Sequence, residues 1–507
     1  MPIVKTSKGT FSCPAGQNLL QALTQNGVWV DSPCGGNGTC GKCKVTISEK
    51  GTAREVLACR YLVEQDLTVT LPDIRNADIS ISGKQRNFRL DPVVNVCKNE
   101  KNITSFQYQN QILHTGTGKN LGIAVDIGTT TIAMYLCDLE HGKILETRSC
   151  LNAQKNHGGD VISRIHFCME DPQGLSILQA QITGQLSEMA ASFSGLDPQD
   201  IQIIIAAGNT TMLHLLLGED PAGISKAPFT PKFTEAKETN AWDLGIRINR
   251  HCLLVTLPCI SAYVGADIVA GILSSGMDKT SASLLVDIGT NGEMALFHQG
   301  ILSTCATAAG PAFEGYNMSC GIGGVEGAIS KVHQDGGFET IGSLPACGIC
   351  GSGLIDAAAM LLQQGIIEDT GYMESDYHFT PDVFITPKDI RQLQLAKAAI
   401  AAGIQTLCQS AGCLLDQVDH IYLAGGFGTF LNPDSAVRIG LLSQAFTGKI
   451  EAIGNASGMG CILSLFSKEA KAHTDQIKDC AQYLELSGSE DFQNFYMDEI
   501  CFPENDW

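Results

Sequence analysis

Residues 125–131 read VDIGTTT, and residues 286–293 read VDIGTNGE. Each stretch closes an apolar run and turns on a glycine, which reads as a strand ending in an aspartate and a tight turn. The surroundings match as well. Residues 124–152, AVDIGTTTIAMYLCDLEHGKILETRSCLN, and residues 284–308, LLVDIGTNGEMALFHQGILSTCATA, each read as a strand, a Gly turn and two further strands. Asp126, Gly128 and Thr129 recur as Asp287, Gly289 and Thr290. A second pair repeats too: IIIAAGNTTMLHLLLG (203–218) and IYLAGGFGTFLN (421–432) are apolar strands that run into Gly turns. A repeat this widely spaced signals two similar halves, since solenoid periods are far shorter. Strands alternating with helical stretches such as AKAAIAAGIQTLCQSAG (396–412) give an α/β class.

The bulk properties agree with a multidomain globular protein. A chain of 507 residues exceeds one core and implies two to four domains. The net charge of −20 argues against nucleic acid and against an anionic membrane surface, because both need a basic face. No apolar run suffices to span a bilayer, and the start MPIVKTSKGTF lacks a signal-peptide stretch, so a cytoplasmic location is expected. In a reducing compartment the 20 cysteines read as metal ligands or buried apolar groups, and Cys137, Cys252 and Cys408 read as buried.

Three units are expected. Residues 1–72 carry a hairpin, a short helix, a Cys- and Gly-rich loop and two strands, and Pro72 closes the unit. Residues 73–118 read as a linker or small connecting domain. Residues 119–507 hold the repeated α/β unit, with halves of about 119–205 and 206–507.

In CGGNGTCGKC (34–43), Cys34, Cys40 and Cys43 stand at C-x5-C-x2-C, and Cys59 follows 16 positions later. Four thiolates suit a [2Fe–2S] cluster, and Gly35, Gly36, Gly38 and Gly41 let the loop turn sharply and aim N–H groups at sulfur. The stretch resembles [2Fe–2S] ferredoxins, whose β-grasp fold is α+β. It departs from the plant-type spacing by one extra residue in the first gap and by an early fourth cysteine. Zinc is the alternative, although zinc ribbons usually carry two C-x2-C pairs and this loop has one. Cys13 is not expected to be a ligand. Cys347 and Cys350 read as a Gly-loop helix start, and Cys461, Cys480 and Cys501 are too scattered for a second cluster.

VDIGTTT and VDIGTNGE resemble the two phosphate motifs of the ASKHA superfamily (acetate and sugar kinases, Hsp70, actin). The chemistry suits the pattern: an aspartate at a strand end holds Mg²⁺, usually through water, a glycine admits the backbone, and Thr hydroxyls and N–H groups meet phosphates. The resemblance implies Mg²⁺ at Asp126 and Asp287, and an ATP phosphate cradle of Gly128, Thr129, Thr130, Gly289, Thr290 and Asn291. IYLAGGFGTFLN resembles the superfamily's adenosine motif, with Gly425, Gly426 and Phe427 near base or ribose. Asp267, in SAYVGADIVAGILSSGMD (261–278), matches by position the carboxylate that orients water in Hsp70-like chains; a partly buried helix cap is its plain alternative. Glu293 also follows a Gly-Thr turn and faces the same choice.

A ferredoxin-like start, a connecting stretch and an ASKHA domain together resemble the reductive activators of corrinoid enzymes. NAQKNHGGDVISRI (152–165), AYVGADI (262–268), AAGPAFEGYNMSCGIGGVEGAI (308–329) and CGSGLID (350–356) fit that family. No role for Glu314 follows from the sequence. The resemblance implies an ATP-hydrolysing electron-transfer enzyme that returns Co(II) to Co(I) in the corrinoid protein of a methyltransferase system. It also implies a homodimer and an unidentified electron donor. The partner is expected on the nucleotide domain, with the ferredoxin domain swinging on residues 73–118. The alternatives are an activator of another low-potential metalloenzyme, a small-molecule kinase with a redox domain, and a non-enzymatic redox or nucleotide sensor.

Overall fold

The structure is a computed structural model that describes residues 1–26, 28, 30, 32, 36, 38, 41–49, 52–71, 83, 88–98, 104–289 and 291–504. Cys34, Cys40 and Thr290 therefore lie outside the described residues, as do most of residues 72–87.

The N-terminal unit is a five-stranded sheet in the order Gly9–Ser12, Ile3–Thr6, Leu67–Thr70, Lys44–Glu49, Thr52–Leu57. Ile3–Thr6 and Leu67–Thr70 are parallel at its centre, and the other neighbours are antiparallel. Alternation sets the inner face: Val45 and Ile47 of Lys44–Glu49 point into a core shared with Leu19, Leu20 and Leu23 of the helix Leu19–Gln25. This is the expected β-grasp arrangement. Asn18 caps the helix through Gln21 N–H, and its Nδ2 donates to the Cys59 carbonyl at 2.6 Å.

Within the stretch expected as a linker, Val94–Lys98, Thr104–Tyr108 and Gln111–Thr115 form a three-stranded antiparallel sheet. It is docked, not swinging. Val94, Phe106 and Tyr108 join the core of the first half, Phe88 stacks on Phe466 at 5.3 Å, and the Tyr108 hydroxyl donates to Glu238 at 2.6 Å. Apolar burial holds residues 88–98 and 104–118 to the nucleotide domain, which corrects the expectation that all of 73–118 moves freely.

The remaining chain builds two six-stranded sheets. The first runs Lys143–Leu151, Thr131–Asp138, Leu121–Ile127, Ile201–Gly208, Leu253–Thr256, Glu238–Asn240. The second runs Ile450–Gly454, His420–Ala424, Ala282–Ile288, Gly292–His298, Ile301–Thr307, Ala481–Tyr483. Leu121–Ile127 and Ala282–Ile288 hold the same place. Each has two antiparallel hairpin strands on one side and two parallel strands on the other. The repeat seen in sequence is thus a repeat of topology. The boundary expected between 205 and 206 falls inside the strand Ile201–Gly208, and the first sheet extends to Thr256 before the second begins at Ala282. The reason is that Ile201–Gly208 ends in a Gly turn as Leu121–Ile127 does, so it resembles the start of a new half.

Two helices lie between the sheets. Ala266–Ser275 and Ala456–Phe466 cross so closely that a Cβ on Gly460 would sit 2.2 Å from the Ala270 carbonyl oxygen. Ala456–Phe466, from the second half, packs on the first sheet through Cys461 and Leu465, while Ile268, Val269 and Ile272 of Ala266–Ser275 pack with Leu285 and Ala295 of the second sheet. Each half therefore closes the core of the other.

Candidate functional site

The two aspartates stand at equivalent strand ends and open on one cleft. Asp126 is the penultimate residue of Leu121–Ile127, and Asp287 that of Ala282–Ile288. Both oxygens of Asp126 are engaged from the start of Ala456–Phe466: Asn455 Nδ2 donates to Oδ2 at 2.9 Å and Ser457 Oγ to Oδ1 at 2.7 Å. Burial raises the Asp126 carboxyl above its usual range, and these two donors oppose the rise. Asp287 is pushed up to about 7 by burial and by Asp126. Asp267, in the first turn of Ala266–Ser275, is pushed up to about 8 by burial, then Asp287, then Asp126. Glu293, the cross-strand partner of Asp287, is raised well above the ordinary range by burial, Asp267 and Asp287.

Four acids thus share one cleft and repel one another, an arrangement that a divalent cation relieves. Among the described residues no three His, Cys, Asp or Glu side chains stand close enough to hold a metal ion directly.

The first turn is held in shape from outside. Asn152 Nδ2 donates to the Gly128 carbonyl at 2.9 Å, and Asn209, the cap of Thr210–Leu217, donates to Thr129 Oγ1 at 2.9 Å. Arg164, fully buried, donates to the Thr129 carbonyl, to Gln154 Oε1 and to the Gly158 carbonyl. Burial lowers its guanidinium to about 9. Thr130 Oγ1 donates to Glu314 at 3.0 Å. In the second turn, Gly289 N–H donates to the Asn291 carbonyl at 2.9 Å. A Cβ on Gly128 would lie 2.7 Å from the Thr131 carbonyl oxygen, so the turn is too tight for a side chain there.

The expected adenosine motif reaches the acids. Gly425 has φ of +82°, and a Cβ there would meet Asp287 Oδ1 at 2.6 Å, so only glycine fits. Gly426 is exposed, and the Phe427 ring lies 5.0 Å from Phe313. The structure thus brings Asp126, Asp267, Asp287, Glu293 and Gly425 to one place. Sequence reasoning missed Asn455, Ser457, Asn209 and Arg164. A signal existed for the asparagines: Gly208-Asn209 and Gly454-Asn455 both follow strands of the cleft edge.

In the N-terminal unit, Cys43 precedes the strand Lys44–Glu49 and Cys59 lies in the one-turn helix Ala58–Arg60. The Cys59 N–H donates to Cys43 Sγ at 3.5 Å, the kind of bond a cluster thiolate accepts. Gly36, Gly38 and Gly41 have φ of +88°, +73° and +68°, and Arg60, next to Cys59, donates to the Gly38 carbonyl at 2.6 Å. These residues fit a cluster. Cys13 is buried in the domain core, and its thiol is raised by burial.

A duplicated α/β unit whose equivalent strand ends gather an acid cluster, preceded by a β-grasp domain with a cysteine loop, defines an ASKHA-type ATP-binding protein fused to a [2Fe–2S] ferredoxin domain. Comparison with known proteins gives the same division. Residues 3–64 match the 2Fe-2S iron-sulfur cluster binding domain, 121–280 the RACo middle region, and 281–507 the C-terminal ASKHA domain of RACo. The chain is similar to the corrinoid activation enzyme RamQ of Eubacterium limosum, 31% identical over 557 residues, covering 93% of this chain and 94% of that one. It is 27% identical over 422 residues to the [Co(II) methylated amine-specific corrinoid protein] reductase of Methanosarcina barkeri, covering 75% and 77% of the two chains. A solved reductive activator for corrinoid, iron-sulfur protein superposes with a TM-score of 0.75 at 28% identity, covering 100% and 99%. The chain belongs to the family of reductive activators of corrinoid proteins. Among the described residues no helix is long and apolar enough to cross a membrane.

Proposed function

We propose that the chain uses ATP hydrolysis to drive one electron from its [2Fe–2S] cluster to the Co(II) corrinoid of a methyltransferase system, restoring Co(I). The observation that carries this is the pairing, in one chain, of the acid-lined cleft with the cysteine loop that brings Cys43 and Cys59 together. A ferredoxin domain alone has single electrons but no energy source, and each 100 mV uphill costs about 2.3 kcal/mol per electron. Similarity to corrinoid activation and corrinoid reductase proteins supports cobalt as the acceptor.

In this reading Cys34, Cys40, Cys43 and Cys59 hold the cluster, which supplies the single electron. Asp126 and Asp287 hold Mg²⁺ through water, with Asp126 kept in place by Asn455 and Ser457. Gly128, Thr129, Thr130, Gly289, Thr290 and Asn291 cradle phosphates. Gly425, with Gly426 and Phe427, lines the nucleotide beside Asp287. Asp267, pushed up to about 8 by burial and then by Asp287 and Asp126, has the proton affinity of a base for the attacking water. A homodimer, an external electron donor and a cytoplasmic location belong to the same proposal. None of the 18 described cysteines is joined in a disulfide, which suits a reducing compartment.

The test is anaerobic spectroscopy of the reduced chain with corrinoid proteins from the same cell. Growth of the Co(I) band should require Mg²⁺ and hydrolysable ATP. Equal Co(I) without nucleotide refutes the coupling, and no response from any corrinoid protein refutes the acceptor.

A further inference from the structure

Residues 311–322 touch three parts of the molecule at once. At their start, Glu314 ends the one-turn helix Pro311–Glu314 and accepts the 3.0 Å bond from Thr130 of the first phosphate turn. Its other oxygen lies against the second turn: a Cβ built on Gly289 would be 3.7 Å from Oε1. The Tyr316 hydroxyl then accepts a 2.8 Å bond from the buried Lys155. At their end, the Gly321 carbonyl accepts a 2.8 Å bond from Lys42 Nζ. Lys42 is the residue before Cys43, so the contact joins the nucleotide domain to the edge of the cysteine loop.

The two ends of this stretch form one body. A Cβ on Gly315 would lie 2.2 Å from the Ile322 carbonyl oxygen, and one on Gly321 would lie 2.3 Å from the Gly315 carbonyl oxygen. Backbones this close leave no side chain between them to absorb a displacement. A shift of Glu314 is therefore passed to the Gly321 carbonyl.

The inference rests on the reading that Mg-ATP occupies the cleft. Thr130 has a single hydroxyl proton to donate. A phosphate at this turn competes for it, and a phosphate and a carboxylate at that separation repel each other. We propose that Glu314 is a positioning residue displaced by the bound triphosphate, and that its displacement draws the Gly321 carbonyl off Lys42 and releases the iron–sulfur domain for transfer. The contact is the docked state, and the nucleotide undoes it.

Hydrogen–deuterium exchange of the intact, cluster-loaded protein tests this, with and without Mg²⁺ and a non-hydrolysable ATP analogue. Affinity for the analogue is measured separately by titration calorimetry. In the wild type the analogue should raise exchange in peptides spanning 41–49 and 316–324 by roughly threefold or more. Lys42→Met should give the raised exchange without nucleotide. Glu314→Gln keeps an acceptor for Thr130 but removes the charge. It should bind the analogue roughly tenfold more tightly and lose the exchange response, while Glu314→Asp should restore the response. A merely structural Glu314 would instead weaken binding. If the wild type binds the analogue and neither peptide responds, or if Glu314→Gln responds as wild type does, the relay is wrong. If the wild type binds no nucleotide, the reading of the cleft falls and the relay falls with it.

Discussion

Asp126 and Asp287 stand at equivalent strand ends but are not equivalent residues. Asp126 gives both oxygens to donors 329 and 331 positions away, whereas Asp287 lies against Gly425 and its own cross-strand partner Glu293. Asp287→Asn should therefore cut ATP turnover by about 100-fold or more, with the visible absorbance of the cluster unchanged, because its ligands belong to another domain. Ser457→Ala removes one of the two donors that fix Asp126. The expected loss is about tenfold in turnover, the worth of one charge-assisted hydrogen bond, with little change in melting temperature. Steady-state phosphate release checks both. The aspartates were legible because a strand, an acid and a glycine form a local pattern that recurs. Asn455 and Ser457 were not, because a contact spanning more than 300 positions leaves no spacing to read. Glu314 belonged to a quoted stretch, yet its part depends on Thr130, 184 positions away.

At the scale of elements, the helix pair Ala266–Ser275 and Ala456–Phe466 forms a close contact between the two halves. Gly460→Ala places a methyl against the Ala270 backbone, which cannot give way as a flexible side chain would. It should lower stability by about 1–3 kcal/mol. Gly184→Ala, within the helix Gly174–Ala191 and with nothing within 4 Å of its Cβ, should raise stability by up to about 1 kcal/mol. Denaturant titration of the two variants gives the comparison. A third helix, Lys468–Cys480, is tied to the turn Met277–Lys279 by His473 Nε2 and Asp278 Oδ2 at 2.5 Å. That bond raises the His473 pKa above its unfolded value. Its contribution is thus complete below the unfolded pKa, about 6.5, and is lost as pH rises through the higher folded value. Asp278→Asn should flatten the melting temperature as pH rises above about 6.5, which calorimetry at several pH values measures. The strand, Gly turn and two further strands that begin each sheet were legible as a repeat. The exchange of covering helices between halves was not, because an apolar helix carries no mark of which sheet it will cover.

The whole molecule carries a net charge of −20, so electrostatic steering toward an acidic corrinoid partner is absent and repulsion takes its place. Raising ionic strength from about 0.05 to 0.2 M should quicken association with such a partner, as screening shortens the range of repulsion, and stopped-flow mixing would show it. A slower rate would mean that a local basic patch sets the encounter. The crossed helices have a further consequence during synthesis. The first sheet has all its strands once residue 256 has been made, yet the face covered by Ala456–Phe466 stays bare until that helix leaves the ribosome. At about 5–20 residues per second, some 200 further residues take roughly 10–40 s. For that time Ile203, Ile205 and their neighbours on that face lack their native cover. A nascent chain halted near residue 300 should consequently bind chaperones and be cleaved by protease, while one halted with residue 466 well clear of the exit tunnel should be protected.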